Sequence, residues 1–336
     1  MLKNKLRKII SHIPLHRKKQ GRMLLWLMLI SGGSEMISLG AVLPFLAVLT
    51  DPNMVYNHEI AQPFIQFFDL RDASQMILPL TLFFSAAVVV TAAIRISMLY
   101  VITRLSFAIG ADLSVDIYNR TLHQSYEVHT RRNSSEIING VTQKINIIVN
   151  SVLIPILTIV SSVILVLFIL IALFFVDWFI ALLTLIIFGA IYWGIIKLTR
   201  HKLSVNGEII AKKSSEVIKA LQEGMGGIRD VLLGNLQSTY CQIYRESDLP
   251  IRKAQGENQF IGRSPRYFVE ALGMILMIIA SYIMIQREDP DLIIPVLGVL
   301  VLGAQRLLPL LQQSYSSLSQ IKGSEATLDD ALSLLD

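Results

Sequence analysis

The sequence predicts an all-α membrane protein: six transmembrane helices, two of whose connections continue as long cytosolic helices. Three observations predict it. Of 336 residues, 53% are hydrophobic and 16% charged, whereas a soluble chain carries about 25% charge; the mean hydropathy is +0.56. The apolar residues are gathered into uncharged runs, and a bilayer core of about 30 Å needs about 20 helical residues. The connections between the runs also alternate in length and charge. A secreted disulfide scaffold, a disordered regulator and an ordinary cytosolic enzyme are excluded. Cys241 is the one cysteine; it has no internal disulfide partner and no CxxC or histidine pattern around it, so it indicates neither a redox couple nor structural zinc.

Residues 1–20 come first. Leu2, Leu6, Ile9, Ile10 and Ile13 share one helix face with Lys3, Arg7 and Lys8 beside it, which describes an interfacial helix on anionic lipid. A signal peptide is the competing reading, but the apolar stretch continues to Leu49 with no small-x-small cleavage site after a short core. A six-helix domain then occupies 21–336. The uncharged runs are 23–34 and 36–50 (one helix interrupted by Glu35), 73–94, 145–176, 178–196, 271–286 and 292–305. Adding polar neighbours places the spans near 22–50, 73–104, 140–176, 178–200, 264–286 and 291–313.

Eight basic residues and no acidic one precede Met23, so the positive-inside bias puts the N-terminus in the cytosol. The region 51–72 holds Asp51, Glu59, Asp69 and Asp72 against Arg71 alone. The turn at Asp177 is acidic, and 286–291 sets Glu288, Asp289 and Asp291 against Arg287. These are the outer connections, and both termini are expected in the cytosol of a cell whose inner, or plasma, membrane holds the chain. The stretches 104–144 and 197–263 are polar yet keep Ile, Leu and Val at every third or fourth position, a helical pattern continuing past the bilayer. A channel or passive carrier turns back near the surface; long inward helices imply something to touch.

The whole pattern resembles the transmembrane region of an ABC exporter: interfacial elbow, six spans and two cytosolic helix pairs. The stretch YEVHTRRNSSEI at 126–137, within a region 122–136, is similar to the first coupling region, and EGMGGIRDV at 223–231, within 223–240, to the second. The resemblance implies that Tyr126, His129, Arg131, Arg132, Ile228, Arg229 and Asp230 couple the spans to an ATPase. Glu35, Ser38, Leu39, Pro44 and Phe45, the PRYFVE string from Pro265, and Arg306 to Pro309 resemble bacterial flippases for lipid-linked oligosaccharides of the protein-glycosylation type. Ile60, Phe64, Phe67 and Phe68 look like that subgroup's external helix, here 53–70. The resemblance implies a homodimer, since six helices make half a path. It also implies an anionic lipid or lipid-linked glycan as substrate, and a nucleotide-binding domain that holds ATP and Mg. No GxxxxGK[ST] string occurs, so no such phosphate loop is expected in this chain. That domain commonly follows the sixth helix; this sequence stops at Asp336, so the expectation is either a longer polypeptide or a separate ATPase subunit. A nucleic-acid partner is not expected.

Arg95, Arg266 and Arg306 lie within or at the ends of apolar spans, where an arginine costs several kcal/mol unless it is paired or faces water. At 1.5 Å per residue from the outer ends they sit roughly 30, 30 and 22 Å down, near the inner headgroup level. Two readings stand. Either they form a basic ring that grips the phosphate of a lipid carrier, Arg306 foremost, or they are accommodated locally, Arg266 paired with Glu270, Arg95 reaching the cytosolic surface and Arg306 paired with an acidic group such as Glu35. Glu35 fits a salt bridge, a proton site or a substrate contact. Of the membrane prolines, Pro309 beside Arg306 reads as a hinge and Pro44, Pro155 and Pro265 as packing kinks. The six histidines show no HxxxH or HExxH spacing, so no metal is expected. The alternative functions are a membrane-embedded polyprenyl-phosphate transferase, which would need paired acidic motifs where only Asp329 and Asp330 adjoin, and a passive carrier or channel.

Overall fold

A computed structural model describes residues 13–50, 52–56, 62–67, 71–127, 145–176, 178–285 and 290–332. All regular structure among them is helical. In order these are α1 (Leu15–Gly40), α2 (Val42–Thr50), α3 (Pro52–Tyr56), α4 (Gln62–Phe67), α5 (Ile77–Leu122), α6 (Ile145–Ile148), α7 (Ile154–Val176), α8 (Trp178–Gly226), α9 (Ile228–Leu233), α10 (Gln237–Arg263), α11 (Pro265–Ile285), α12 (Pro290–Gly323) and α13 (Glu325–Leu332). Among the described residues, three stretches are long and apolar enough to cross a membrane: Leu15–Thr50, Ile77–Leu122 and Ile145–Phe175. The other three expected spans coincide with α8, α11 and α12.

The helix breaks follow from proline chemistry. The first span is interrupted at Ala41 rather than at Glu35: Pro44 has no N–H for the Gly40 carbonyl, so the ladder lapses one turn before it. Pro155 likewise has no N–H, and the turn before it, Val149–Leu153, is a π-helix in which Ile154 N–H reaches Val149 O. Pro265 opens α11, where a missing N–H costs nothing. Leu15–Gln20 of the expected interfacial helix are the first turns of α1, and Arg17 Nε donates to Asp112 Oδ2 of α5 at 2.8 Å. Residues 1–12 lie outside the described residues. Within the expected external helix 53–70, α3 and α4 are helical, with 57–61 and 68–70 outside the described residues.

The main core joins α1, α5, α7 and α12 through Leu24, Met28, Ile109, Leu165, Ile169 and Leu307. Large apolar side chains elsewhere are exposed, among them Trp26, Val89, Leu99, Phe175 and Ile278, as lipid-facing surface requires. Helices α5, α8 and α10 continue far past the apolar segments. There Asn206 Nδ2 of α8 donates to Asn258 Oδ1 at 2.9 Å and to Glu257 Oε2 at 3.2 Å of α10. The bond from Asn206, with Lys202 at 3.4 Å, holds the Glu257 carboxyl below its ordinary value.

Helix α8 crosses the end of α12 at backbone distance. A Cβ on Gly207 would lie 2.7 Å from the carbonyl oxygen of Gly323, and a backbone atom cannot swing aside. Gly207→Ala is therefore expected to cost about 1–3 kcal/mol. Gly256→Ala, on α10 with open space around the new methyl, should instead gain about 0.5–1 kcal/mol. Thermal unfolding of the two purified variants checks the opposite signs; a Gly207→Ala protein as stable as wild type would refute the close crossing.

Candidate functional site

Two polar features interrupt the apolar spans. The first is a buried ion-pair cluster. On α1, Leu24, Met28, Ser31, Glu35, Ser38 and Leu39 form one buried stripe at helical spacing, so Glu35 is carried into the core because its whole face is. It is 1% exposed. Arg306 Nη1 of α12 donates to Glu35 Oε1 at 2.8 Å and Nη2 to Ser38 Oγ at 3.2 Å. Arg95 Nη1 of α5 approaches the same carboxylate oxygen at 3.8 Å. One carboxylate thus joins three helices. Glu35 Oε2 and Ser31 Oγ are buried with no hydrogen-bond partner among the described residues.

The second feature is a cavity of about 860 Å³ between α7, α8, α11 and α12, whose polar lining includes Arg263, Arg266, Glu270, Gln305 and Gln312. Gln312 fixes its walls: the Nε2 donates to Gly262 O at 2.9 Å and the Oε1 accepts from Tyr192 OH at 3.4 Å. Arg266 Nε stands 3.8 Å from Glu270 Oε2, with both side chains more than half exposed.

The ring of three arginines expected from sequence is not assembled. Arg95 and Arg306 do share a depth and a partner, but Arg306 sits on the shoulder of the cavity-lining face and its guanidinium turns to α1. It therefore belongs to the cluster, and Arg266 alone of the three lines the cavity. Gly273 packs on Leu308, and Gly262 on Ser316 and Ser319. This antiparallel register sets Arg266 roughly two turns along the bundle from Arg306, toward α10. Arg263 and the amides of α12 are additions that sequence reasoning passed over. Their signals were arginines three apart flanking the Pro265 break, and glutamines seven or eight apart on a helix that also carries Pro309. Pro309 lines the cavity but does not break α12, which runs unbroken through it. By its missing N–H it leaves the Gln305 carbonyl without the usual helix donor.

At the far end of α8, α9 is a short helix between two turns. Asn235 takes a left-handed φ of 51°, and Gly234 N–H and Leu236 N–H close back on Asp230 O and Val231 O at 2.8 and 2.9 Å. Val231 faces inward, while Ile228, Arg229 and Asp230 are exposed beside Met225, Leu232 and Leu233. Tyr126, at the other tip, is also exposed; His129, Arg131 and Arg132 lie outside the described residues. Among the described residues, no group of three His, Cys, Asp or Glu side chains is placed to hold a metal ion.

The family model described as the ABC transporter transmembrane region matches residues 23–294. A search of curated proteins finds no match.

Proposed function

Because the chain belongs to the family of ABC transporter transmembrane regions, we propose that it is the six-helix membrane half of an ATP-driven exporter that flips an anionic, lipid-linked substrate from the inner to the outer leaflet. Transmembrane regions of this family generally pair with nucleotide-binding domains and dimerise. The tips at Tyr126 and at Ile228–Asp230 are the docking points for the ATPase, fused or separate, that supplies ATP and Mg. A second copy of the chain completes the path, in an inner or plasma membrane with both termini cytosolic.

The observation that carries the anionic reading is the lining of the 860 Å³ cavity, where Arg263 and Arg266 face a single acidic side chain, Glu270. Guanidinium forks take phosphate oxygens two at a time. Comparing the two arginine sites decides which is free to do so. The exposed Arg266–Glu270 pair, at 3.8 Å, is worth under about 1 kcal/mol, so an incoming phosphate displaces Glu270 easily. Opening the buried Arg306–Glu35 pair leaves an uncompensated charge and costs about 3–5 kcal/mol. Arg263 and Arg266 are thus the substrate cations, and Arg306, Arg95 and Glu35 clamp the helices that frame them. Pro309, on the cavity wall, is the point where α12 bends as the path changes access.

The test is reconstitution of the transporter with its nucleotide-binding domain into liposomes. A fluorescent polyisoprenyl pyrophosphate should cross in an ATP-dependent manner, and a zwitterionic lipid with the same label should lag far behind. Equal rates for both would sink the anionic reading. Orientation is checked separately: with Cys241 replaced by serine, Met225→Cys should resist an impermeant maleimide in intact cells and Asn53→Cys should react, and the reverse pattern would invert the topology.

A further inference from the structure

Three exposed aromatic side chains, Trp26, Tyr100 and Trp193, stand at one level of the bundle, and the contacts between helices fix that level. Helices α1 and α5 are antiparallel, since Thr91 Oγ1 donates to Ser34 O at 3.1 Å and Arg17 Nε to Asp112 Oδ2 at 2.8 Å. Interpolating between those two bonds sets Trp26 of α1 beside Tyr100 of α5. Helix α12 is antiparallel to α1, by Arg306 on Glu35 and Gly298 beside Leu46. It is parallel to α8, by Tyr192 on Gln312 and Thr199 beside Tyr315. Counting along α12 from Arg306 to Gln312 therefore brings Trp193 of α8 to within about one turn of Trp26.

Each aromatic has an exposed cation four residues away, always on the same side. Arg22 precedes Trp26 on α1, whereas Arg104 follows Tyr100 and Lys197 follows Trp193 on helices that run the other way. All three cations thus lie toward the end of the bundle where α1 begins. Arg104 Nη1 donates to Tyr100 OH at 2.8 Å, with its guanidinium 5.8 Å from the centre of that ring, and Lys197 Nζ stands 5.2 Å from the centre of the Trp193 ring. Stretches 15–34, 77–111 and 178–207 hold no acidic residue, so no carboxylate lies within a turn of any of these cations on its own helix. On the other side of each aromatic the same outward face continues with Ile30, Ile96 and Ile186, all exposed.

Hydrocarbon-facing surface, then an aromatic ring, then a cation is the order of groups that meets a phospholipid: acyl chains, interface and phosphate. The ring holds the cation beside the headgroup, and the stem of the cation lies along apolar surface. Helix α5 packs chiefly on α1, and α8 chiefly on α10 and α12, so the pairs look out from separate places on the bundle. A second copy would cover one side, whereas lipid surrounds the bundle in a plane. We infer that Arg22 with Trp26, Arg104 with Tyr100 and Lys197 with Trp193 form a belt that binds the headgroups of anionic phospholipids in the leaflet on the N-terminal side. The occupant is membrane lipid rather than cargo, and the inference holds whatever the transporter carries.

The test is quenching of tryptophan fluorescence by phospholipids brominated on the acyl chains close to the headgroup. The transporter with its nucleotide-binding domain is reconstituted into vesicles free of polyisoprenyl carrier, with brominated phosphatidylglycerol in plain phosphatidylcholine and then with the bromines exchanged. The chain has three tryptophans. Trp178→Phe with Trp193→Phe leaves Trp26 as its reporter, and Trp26→Phe with Trp178→Phe leaves Trp193. Phosphatidylglycerol should be preferred about fivefold at each reporter, as expected of one cation at a membrane surface. Arg22→Gln should bring the preference at Trp26 close to one and leave that at Trp193 unchanged. Lys197→Gln should do the converse, so either variant carries the test should the other fail to fold. Arg263→Ala with Arg266→Ala should leave both preferences in place; losing them there would put the lipid in the cavity and overturn the belt. Equal quenching by the two lipids, or a preference that survives loss of the neighbouring cation, overturns it as well. Quenching by neither lipid would mean that protein, such as a second copy, covers these faces, and the inference would fall.

Discussion

Replacing Arg306 with alanine is expected to lower the stability of the protein by about 3–5 kcal/mol, because it leaves Glu35 as a charge stranded in the helix core. The effect should be asymmetric. Glu35 is 2% exposed in its side chain and Arg306 24%, so a bereaved carboxylate has no route to water while a bereaved guanidinium can turn toward it. Glu35→Gln alone should therefore cost less than Arg306→Ala, and the double substitution Glu35→Gln, Arg306→Gln should recover much of the loss, since two amides can hydrogen-bond where the ions did. Arg95, at 3.8 Å from the same oxygen, can partly replace Arg306; removing both arginines should be worse than removing either. Thermal unfolding of the detergent-solubilised variants gives the order. A stable Arg306→Ala protein that no longer transports would contradict this account and return Arg306 to the substrate.

That result separates two readings that sequence could only place side by side. Depth along a helix was legible only in part: counting 1.5 Å per residue set Arg95 level with Arg266 and about 8 Å from Arg306, whereas Arg95 and Arg306 meet on one carboxylate oxygen and Arg266 stands about two turns away. Direction around the helix was not, for Arg306 lies between the cavity face and the stripe of Gly303, Leu307 and Leu310. A residue on such a shoulder goes to whichever neighbour offers a partner, and the partner sits 271 positions away. The helical content, and the length of α5 and α8 beyond their apolar segments, followed from composition and period. The break at Ala41 did not, since a charged residue looks like an interruption in a hydropathy reading, whereas the backbone responds to the proline at 44. Arg263 was passed over for a related reason. It falls outside the uncharged runs, so nothing marked it until the register of α10 and α11 against α12 set it on the wall with Arg266.

Arg263→Ala combined with Arg266→Ala should abolish flipping of anionic lipid without touching the fold. Each side chain is exposed, and the ion pair lost with Arg266 is a loose one within its own helix, so the melting temperature should stay near wild type. A hydrogen bond to a charged group contributes about 1.5–3 kcal/mol, about tenfold to a hundredfold in affinity for each arginine. The half-saturating concentration of a polyisoprenyl pyrophosphate should consequently rise by about a hundredfold or more in the double variant. Lysine at both positions should restore only part of this, because a point charge lacks the two-pronged match to phosphate oxygens. The sharper check has the opposite sign. Glu270 competes for Arg266 in the empty cavity, so Glu270→Gln should lower the half-saturating concentration, by up to about fivefold for a surface pair worth under about 1 kcal/mol. Unchanged transport in the double alanine variant would remove Arg263 and Arg266 from the path. A weaker response to substrate in Glu270→Gln would mean that the carboxylate itself touches the substrate, which an anion-binding wall does not allow.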